Sequence, residues 1–448
     1  MIPPKPESSE GRAGVLRFAR AFRRDLLSAL PARLYRAWMA EYRAPLIHSF
    51  FCNHPDLIRT ILRDRPRDFP KSDRLREGLA PLLGQSVFVT NGPQWEKQRR
   101  IIDPAFEGGR LREVFDAMWD ATDAAIARLP EGEGDIEPQV NHLAADIMFR
   151  TLFSIPIGNG LADRVYRAFR DHQDSQPIVN PAALLPWPRW LPRPHSRRTR
   201  ASAEQIRGLI TALVAVRARA ISDGTAPDDL ATKIMTTPDP LTGRRFTQEE
   251  VVDQVAIFFL AGHETGAAAL SWTLWLLAAH PEWQERVAEE GRELPHDFAA
   301  LSRLKITRAC FREAMRLYPP VPMMVREATQ VETFRDRQVP IGAQLVISPW
   351  HLHRHERLWH DPDTFDPNRF LDSSSVPATR DAYIPFSTGA RACPGAGFAM
   401  MEGVLATARI TAAFRMEPGE KVPVPQARLT VRGRDGITIR LTDRGKPS

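Results

Sequence analysis

One cysteine, Cys393, lies in a loop of small and turn-forming residues, PFSTGARACPG (385–395), with Arg391 beside it. The chain has 3 cysteines, an odd count that argues against a disulfide framework and favours a reducing compartment. A lone cysteine packs, attacks as a nucleophile or binds a metal. Packing does not explain this loop. No local cysteine-protease signature accompanies it, although a distant histidine as base stays open.

Ligation of a porphyrin iron by the thiolate explains the setting best. Gly389 and Gly395 allow the backbone to pass close to a flat macrocycle. Backbone N–H groups near the cysteine can reach its sulfur. The helix FAMMEGVLATARI begins just after the cysteine, and its positive N-terminal end favours thiolate over thiol. Arg391 can pair with a porphyrin carboxylate. The residues therefore fit a heme-thiolate site at Cys393, and a catalytic cysteine with a distant base stays open.

A long helix is predicted elsewhere in the chain. Thr247 and Glu250 have the spacing of a capping box, and the apolar pattern continues from there to His280, where Pro281 ends it. About 32 helical residues at 1.5 Å each span roughly 48 Å. The middle third is apolar nearly all round, so we expect it to be buried on every side.

That middle third contains AGHET (261–265), in which Gly262, Glu264 and Thr265 are poor choices for a buried helix. Glycine costs about 1 kcal/mol there relative to alanine, and a buried carboxylate without a partner costs more. Such local violations usually mark strain or function. The structural alternative is that Thr265 bonds back to a carbonyl group and Glu264 pairs with an arginine.

The cysteine loop also matches a known pattern, F-x-x-G-x-R-x-C-x-G. The matching residues are Phe386, Gly389, Arg391, Cys393 and Gly395. The loop resembles the heme-binding loop of the cytochrome P-450 monooxygenases. Pro394 departs from an ideal sulfur environment because it lacks an N–H group.

Further motifs of that family follow in the expected order. E-x-x-R is present as Glu313 and Arg316, which share one helix face, and PNRF supplies Arg369 as the third member of a buried network. W-x-x-x-R is present as Trp95 and Arg99, which resemble the residues that bond the heme propionates. The resemblance extends from about residue 40 to the C-terminus.

The resemblance implies heme b (iron protoporphyrin IX) as the cofactor and Cys393 as the ligand of its iron. The other cofactor-binding residues that it implies are Trp95, Arg99, Arg326, Arg391, Phe386, Gly395 and Ala261. It also implies a catalytic pair. Thr265 would hold the oxygen and a water, and Glu264 would belong to the acid side of a proton relay.

The expected fold is mainly α with a small β subdomain, the cytochrome P-450 fold, with the long central helix crossing the heme. Residues 1–40 are predicted to form an N-terminal extension, partly an amphipathic helix. Residues 41–448 are predicted to form a single heme-thiolate monooxygenase domain. A hairpin is expected at 428–441. The proline-rich segment 177–194 is interpreted as a loop that covers the pocket as a lid.

Charge, motifs and apolar runs limit the kinds of binding partner that we expect for this chain. The net charge is +7, but zinc-finger spacing and RNA-binding signatures are lacking, so nucleic acid is not expected. No run of about 18 uncharged apolar residues is present, so no transmembrane anchor is expected. The N-terminus also lacks a signal-peptide core, which predicts a cytoplasmic protein. Peripheral membrane contact by the arginine-rich N-terminal segment remains an alternative.

The implied function is insertion of one oxygen atom from O2 into a C–H bond of a lipophilic small molecule such as a fatty acid, a terpenoid or a steroid. Electrons would come from a ferredoxin or a similar separate donor, which could dock on the basic segments 97–100 and 307–312. Two alternatives stay open, a peroxide-driven peroxygenase and a non-catalytic heme sensor. The Glu264–Thr265 pair argues against the first. The histidine-rich segment 351–360 is interpreted as structural, not as a metal site.

Overall fold

The computed structural model describes residues 2–8, 25–44, 47–158, 160–175, 195–371 and 380–445. The segment 177–194, predicted to be a lid, and most of the helix predicted within residues 1–40 lie outside these ranges. No helix within the described ranges combines the length and apolar character that a membrane crossing requires.

Helices make up most of the described chain. The α-helices are α1 (Pro55–Arg59), α2 (Asp73–Leu83), α3 (Gly92–Ile102), α4 (Gly108–Glu113), α5 (Phe115–Ile126), α6 (Glu137–Phe153), α7 (Leu161–Ser175), α8 (Arg197–Ser222), α9 (Leu230–Thr236), α10 (Gln248–Ala279), α11 (Pro281–Arg292), α12 (Lys305–Leu317), α13 (Pro349–Leu352), α14 (Asn368–Leu371) and α15 (Ala396–Ala413). A π-helical segment, Thr60–Asp64, extends α1.

The strands are short and form small sheets. They are β1 (Met39–Ala44), β2 (Ile47–Cys52), β3 (Gly132–Asp135), β4 (Met324–Glu327), β5 (Glu332–Phe334), β6 (Arg337–Val339), β7 (Gln344–Ile347), β8 (Phe414–Pro418), β9 (Pro425–Ala427), β10 (Val431–Gly433) and β11 (Thr438–Asp443). Their orders are β1-β2-β7-β4, β3-β11-β8, β10-β9 and β5-β6. Only the β2–β7 pair is parallel among these described strands.

The longest helix, α10, has 32 residues and begins at the predicted capping box. The Thr247 hydroxyl accepts from the Glu250 N–H at 3.2 Å, and the Glu250 carboxylate accepts from the Thr247 N–H at 2.8 Å. The expectation that its middle is buried on every side is wrong. Ala261 is exposed, and Thr265 and Gly266 are half-buried, so one face of the helix is accessible at its centre.

The hairpin predicted at 428–441 does not form. Strand β10 pairs with the preceding β9, and β11 pairs with β8 and β3. Between β10 and β11 the chain makes one isolated bridge, from Arg434 to Gly436. The ladder with β8 joins five residue pairs and buries Ile439 and Leu441, so long-range pairing outweighs the local hairpin.

The N-terminal region contacts the body of the protein. The Tyr318 hydroxyl donates to the Pro4 carbonyl at 2.8 Å. The Asp25 carboxylate accepts from the Ala427 N–H at 2.9 Å, next to β10. Whether residues 1–40 are a separate extension stays a prediction.

The buried network that the sequence predicted is present. Arg316 donates to both carboxylate oxygens of Glu313 at 2.7 and 2.8 Å, and both side chains are 0% exposed. Nε of Arg369 lies 3.4 Å from Glu313. Arg316 also donates to the carbonyl groups of His353 and Pro362. The network therefore fixes α12 to the segment that leads toward the cysteine loop.

Candidate active site

The cysteine loop is held by backbone contacts on both sides. The Cys393 N–H donates to the Phe386 carbonyl at 2.9 Å. Gly389 has a φ of 72°, and a Cβ there would lie 2.2 Å from the Leu62 carbonyl oxygen. Gly395 has a φ of −83°, and its Cβ would lie 3.9 Å from Cys393 Sγ. Gly389 is therefore required by protein packing, whereas Gly395 lies beside the sulfur.

The Cys393 side chain is exposed, although it lies in a recess with protein atoms packed closely around it. Burial raises the pKa of the Cys393 thiol, while a hydrogen bond from the Gly395 N–H and the charge of Arg99 lower it. Without a bound cation the surroundings favour the thiol, and a metal ion deprotonates such a ligand outright. The accessible sulfur and its N–H donor fit iron ligation.

Cationic side chains gather around Trp95. The distances to its ring centroid are 5.8 Å from Lys71 Nζ, 5.9 Å from the Arg99 guanidinium carbon and 5.1 Å from that of Arg391. Arg326 joins them because its backbone forms an isolated bridge with Lys71. We call Lys71, Arg99, Arg326 and Arg391 the cation cluster.

Within the part of the chain that the structure describes, only Arg99 of the cation cluster has an ion-pair partner, Asp103 at 2.7 Å. Burial, together with the charges of the three arginines, lowers the pKa of Lys71 to about 6. Burial also lowers the pKa of Arg326 to about 10, again with a contribution from Arg391. Among the described residues, Nε of Arg326 and Nε of Arg391 are buried and lack a hydrogen-bond partner. The cluster therefore fits a ligand with two carboxylates, such as heme with its two propionates.

Lys71 was missed by the sequence analysis. It immediately precedes Ser72, whose hydroxyl caps α2, so it looked like an ordinary surface residue beside a helix start. In the structure its Nζ donates to the Val87 carbonyl at 2.6 Å. Its nearness in the chain to the W-x-x-x-R motif of Trp95 and Arg99, which begins 24 residues later, was the available signal.

The accessible face of α10 carries Ala261 and Thr265. The Thr265 hydroxyl donates to the Ala261 carbonyl at 2.5 Å. One turn earlier, the ring of Phe258 packs 5.6 Å from that of Phe106. Phe106 in turn lies 4.0 Å from the Cβ position of Gly395. Phe106 therefore connects the cysteine loop with this face of α10.

Glu264 is buried beside that face and has three partners. Its carboxylate accepts from Gln173 at 3.0 Å and from the Thr430 hydroxyl at 2.9 Å, and it forms an ion pair with Arg432 at 3.1 Å. Burial raises the pKa of Glu264, and these three partners lower it. The geometry is the one that the structural alternative predicted, including the back-bonded Thr265. The catalytic roles of Glu264 and Thr265 stay predictions.

A second buried carboxyl group, Glu402 on α15, was missed. Its Oε1 would lie 2.8 Å from a Cβ at Gly266, so the carboxyl group fills the space that this glycine leaves on α10. Burial raises the pKa of Glu402 to about 8. The sequence feature that could have identified Glu402 is its position as the one acidic residue in the largely apolar segment FAMMEGVLATARI.

The histidines of 351–360 include three that are buried, His351, His353 and His355. Burial lowers their pKa values to about 3, 3 and 4. The His353 ring accepts from the Ile384 N–H, and the His355 ring stacks on Trp38. These contacts support the structural interpretation. Within the described residues, no three His, Cys, Asp or Glu side chains could together hold a metal ion.

The basic segment 97–100 is paired inside the protein. Lys97 binds Glu250 at 2.8 Å, and Arg100 binds Asp239 at 2.6 Å. These two charges are therefore largely neutralised and offer little to a docking partner.

A family model described as Cytochrome P450 matches residues 36–438. The chain belongs to the cytochrome P450 family. It is 32% identical over 404 residues to the cyclooctat-9-en-7-ol 5-monooxygenase of Streptomyces melanosporofaciens, which covers 88% of this chain and 85% of that protein. It is also 32% identical over 398 residues to the cyclooctatin synthase of the same organism, covering 84% and 83%.

Solved structures show the same fold. The crystal structure of the cytochrome P450DA heme domain matches with a TM-score of 0.80 and 22% identity, over 99% of both chains. The predicted family, the mainly α fold with a small β subdomain, the heme cofactor and the monooxygenase activity are thereby confirmed for this P450. The roles of individual residues stay predictions.

Proposed function

We propose that this P450 hydroxylates a C–H bond of a lipophilic small molecule and that Cys393 is the ligand of its heme iron. The observation that carries the proposal is the accessible Cys393 thiol, with its Gly395 N–H donor, in one site with the cation cluster. A cysteine sulfur on one side, and Arg326 and Arg391 with partnerless Nε groups at the edge, match the iron and the two carboxylates of heme b.

The residues of the chain have distinct tasks. Bound heme supplies the activation of O2, to which a thiolate ligand donates electron density. The Phe386 carbonyl holds the backbone N–H of Cys393, and the Gly395 N–H lies against its sulfur. Trp95 packs among the arginines that bind the propionates. On α10, Ala261 would border the heme, and the Thr265 hydroxyl, which donates to the Ala261 carbonyl, would turn to bind a water. Glu264 holds the proton that this water needs.

Apolar side chains support a lipophilic substrate. Phe88 and Leu429 are 39% and 41% exposed and could contact such a substrate. Phe88 follows the residue whose carbonyl accepts from Lys71, and Leu429 precedes Thr430, which bonds Glu264. We propose a terpenoid as the first candidate. The relatives named for cyclooctat-9-en-7-ol and cyclooctatin support that choice over a fatty acid or a steroid.

A separate ferredoxin-type electron donor is proposed to dock near the cysteine loop. Arg67 follows Pro66, whose carbonyl accepts from Arg391. Arg67 forms a surface ion pair with Glu96 at 3.1 Å but, unlike Lys97 and Arg100, stays 86% exposed. The exposed Arg112 follows Leu111, which contacts the Cβ position of Gly397 at 3.0 Å. These exposed arginines on two sides of the loop support an acidic donor. A cytoplasmic location is proposed from the three free cysteines.

The test is the absorption spectrum of the reduced holoprotein under carbon monoxide, for the wild type and for Cys393→Ser. A strongly red-shifted Soret band that disappears in the variant is expected. A band typical of histidine ligation in the wild type would overturn the assignment of Cys393. Titration with cyclooctat-9-en-7-ol then tests the substrate class. A shift of the heme spin state together with product formation supports a terpenoid substrate. A shift only with a fatty acid or a steroid would overturn the terpenoid assignment in favour of that class.

A further inference from the structure

We propose that Arg432 is a positioning residue that controls the orientation of the Glu264 carboxyl group and its release of a proton. The inference rests on the proposed function, in which Glu264 is the proton source of the site. It adds a second element, the strand β10, to the control of that proton.

Arg432, Gln173 and Glu264 form a closed ring. Arg432 Nη2 lies 3.1 Å from Glu264 Oε1 and donates to Gln173 Oε1 at 3.2 Å. Gln173 Nε2 donates to Glu264 Oε2 at 3.0 Å. Thr430 adds a bond at 2.9 Å. All of these donors come from α7 and from β10 with its preceding loop, and none comes from α10 itself.

This ring turns Glu264 away from the accessible face of α10. Successive residues of a helix are rotated by about 100°, whereas residues four apart lie nearly in line. Ala261 and Thr265 therefore lie on one face, and Glu264 leaves the helix about 60° from Ala261 and about 100° from Thr265, at a buried position. The carboxyl group reaches the Thr265 side only after a rotamer change that breaks its bonds to Arg432 and Thr430.

The same contact sets the charge on Glu264. Burial raises its pKa, and the charge of Arg432 is the largest opposing influence. The titratable groups that also face Arg432 are Glu137, whose pKa burial raises to about 7, His263, whose pKa burial lowers to about 3, and Tyr166. Since Arg432 is a cation, a neutral replacement raises the pKa of Glu264 further, and the carboxyl group keeps its proton to higher pH.

The ring also connects the acid with the wall of the proposed substrate site. Leu429 immediately precedes Thr430, and Arg432 lies on β10 two residues beyond it. Leu429 and Arg432 therefore belong to one short segment, which connects the proposed substrate wall along the chain with the residues that hold Glu264.

The test compares Arg432→Gln with the matched control Arg434→Gln, since Arg434 is 53% exposed and pairs with Asp435. Infrared difference spectra of the holoprotein follow the protonated Glu264 carboxyl group, identified by its loss in Glu264→Gln. We expect half-protonation to move up by about one pH unit or more in Arg432→Gln and not in the control. Thr430→Val, which removes a neutral donor, is expected to give a smaller shift in the same direction.

The functional readout is oxygen consumption against pH, driven by a ferredoxin and its reductase with cyclooctat-9-en-7-ol present. Glu264 donates only when protonated, so activity falls as pH rises through its pKa. Arg432→Gln should move this alkaline limb upward, Arg432→Lys should restore it, and Glu137→Gln should leave it in place. The inference would be overturned if the alkaline limb of activity and the infrared titration of Glu264 were both the same in Arg432→Gln as in the wild type. Loss of the thiolate-type carbon monoxide spectrum in the wild type would instead overturn the proposed function.

Discussion

Two buried carboxyl groups lie at the centre of α10, Glu264 on the helix itself and Glu402 on the neighbouring α15. Their surroundings differ. Glu264 has a cation and two neutral donors. Burial dominates at Glu402, and within the described residues no charge or hydrogen bond offsets it. An ionised carboxylate at Glu402 is therefore the more costly of the two in the folded protein.

Glu402→Gln is expected to change how stability depends on pH. The folded-state pKa of Glu402, about 8, lies above the ordinary value of 4.5. The unfolded chain releases this proton first, so the wild type loses stability as pH rises from 4.5 to 8. Between pH 5 and pH 7 this loss is about 2 to 3 kcal/mol, and the variant should lack it. Urea unfolding of the holoprotein at both pH values measures the difference.

The exposed Glu417 provides the control for that experiment. Glu417→Gln should keep the wild-type loss between pH 5 and pH 7. Equal pH dependence in the wild type and Glu402→Gln would show that the Glu402 carboxyl group ionises as easily in the folded protein as in the unfolded chain.

Lys71→Met is expected to weaken heme binding. The substitution keeps an unbranched chain against Trp95 and removes one cation from the cluster. A charge-assisted hydrogen bond contributes about 1.5 to 3 kcal/mol, which corresponds to about 10- to 100-fold in affinity. The rate of heme transfer to a heme-free acceptor protein measures it. Lys421→Met, at an exposed position, is the control, and equal transfer rates would remove Lys71 from the heme site.

At the scale of elements, the two glycines of the cysteine loop should respond differently to alanine. Gly389→Ala places a Cβ 2.2 Å from the Leu62 carbonyl oxygen at a positive φ, which should cost more than about 2 kcal/mol. Gly395→Ala meets its nearest atom at 3.9 Å and should leave the stability of the heme-free protein nearly unchanged. Thermal unfolding of both heme-free variants tests this. Any loss in Gly395→Ala should appear only in heme content, and equal destabilisation of both would contradict the packing argument.

Local signals were sufficient for some elements and not for others. The capping box at Thr247 and Glu250 and the pair Glu313–Arg316 each act within one helical turn, so spacing alone predicted their bonds. The strands around 428–441 choose between a neighbouring partner and distant ones. That choice depends on the core that buries β11, which spacing does not contain.

At the scale of the whole molecule, the site is assembled from distant parts of the chain. The cation cluster takes members from α3, β4, the cysteine loop and the segment before α2. Trp95, Arg99, Arg326 and Arg391 were placed there by resemblance to a family, and elementary spacing rules could not have joined them. Lys71 belongs to no motif that the sequence analysis used, so only the folded chain brought it into the cluster.

The charge of the surface around the cysteine loop should control how fast an electron donor associates. Arg67 and Arg112 are exposed on two sides of the loop, and steering by such charges acts mainly on the rate of association. Arg67→Glu combined with Arg112→Glu should slow reduction by a ferredoxin about tenfold at low ionic strength. The difference from the wild type should shrink as salt screens the charges over about 10 Å and less. Stopped-flow reduction under carbon monoxide measures it. Arg167→Glu on α7, 74% exposed, is the charge-matched control and should not slow reduction. Equal slowing by the control would mean that net charge, not this face, governs the encounter.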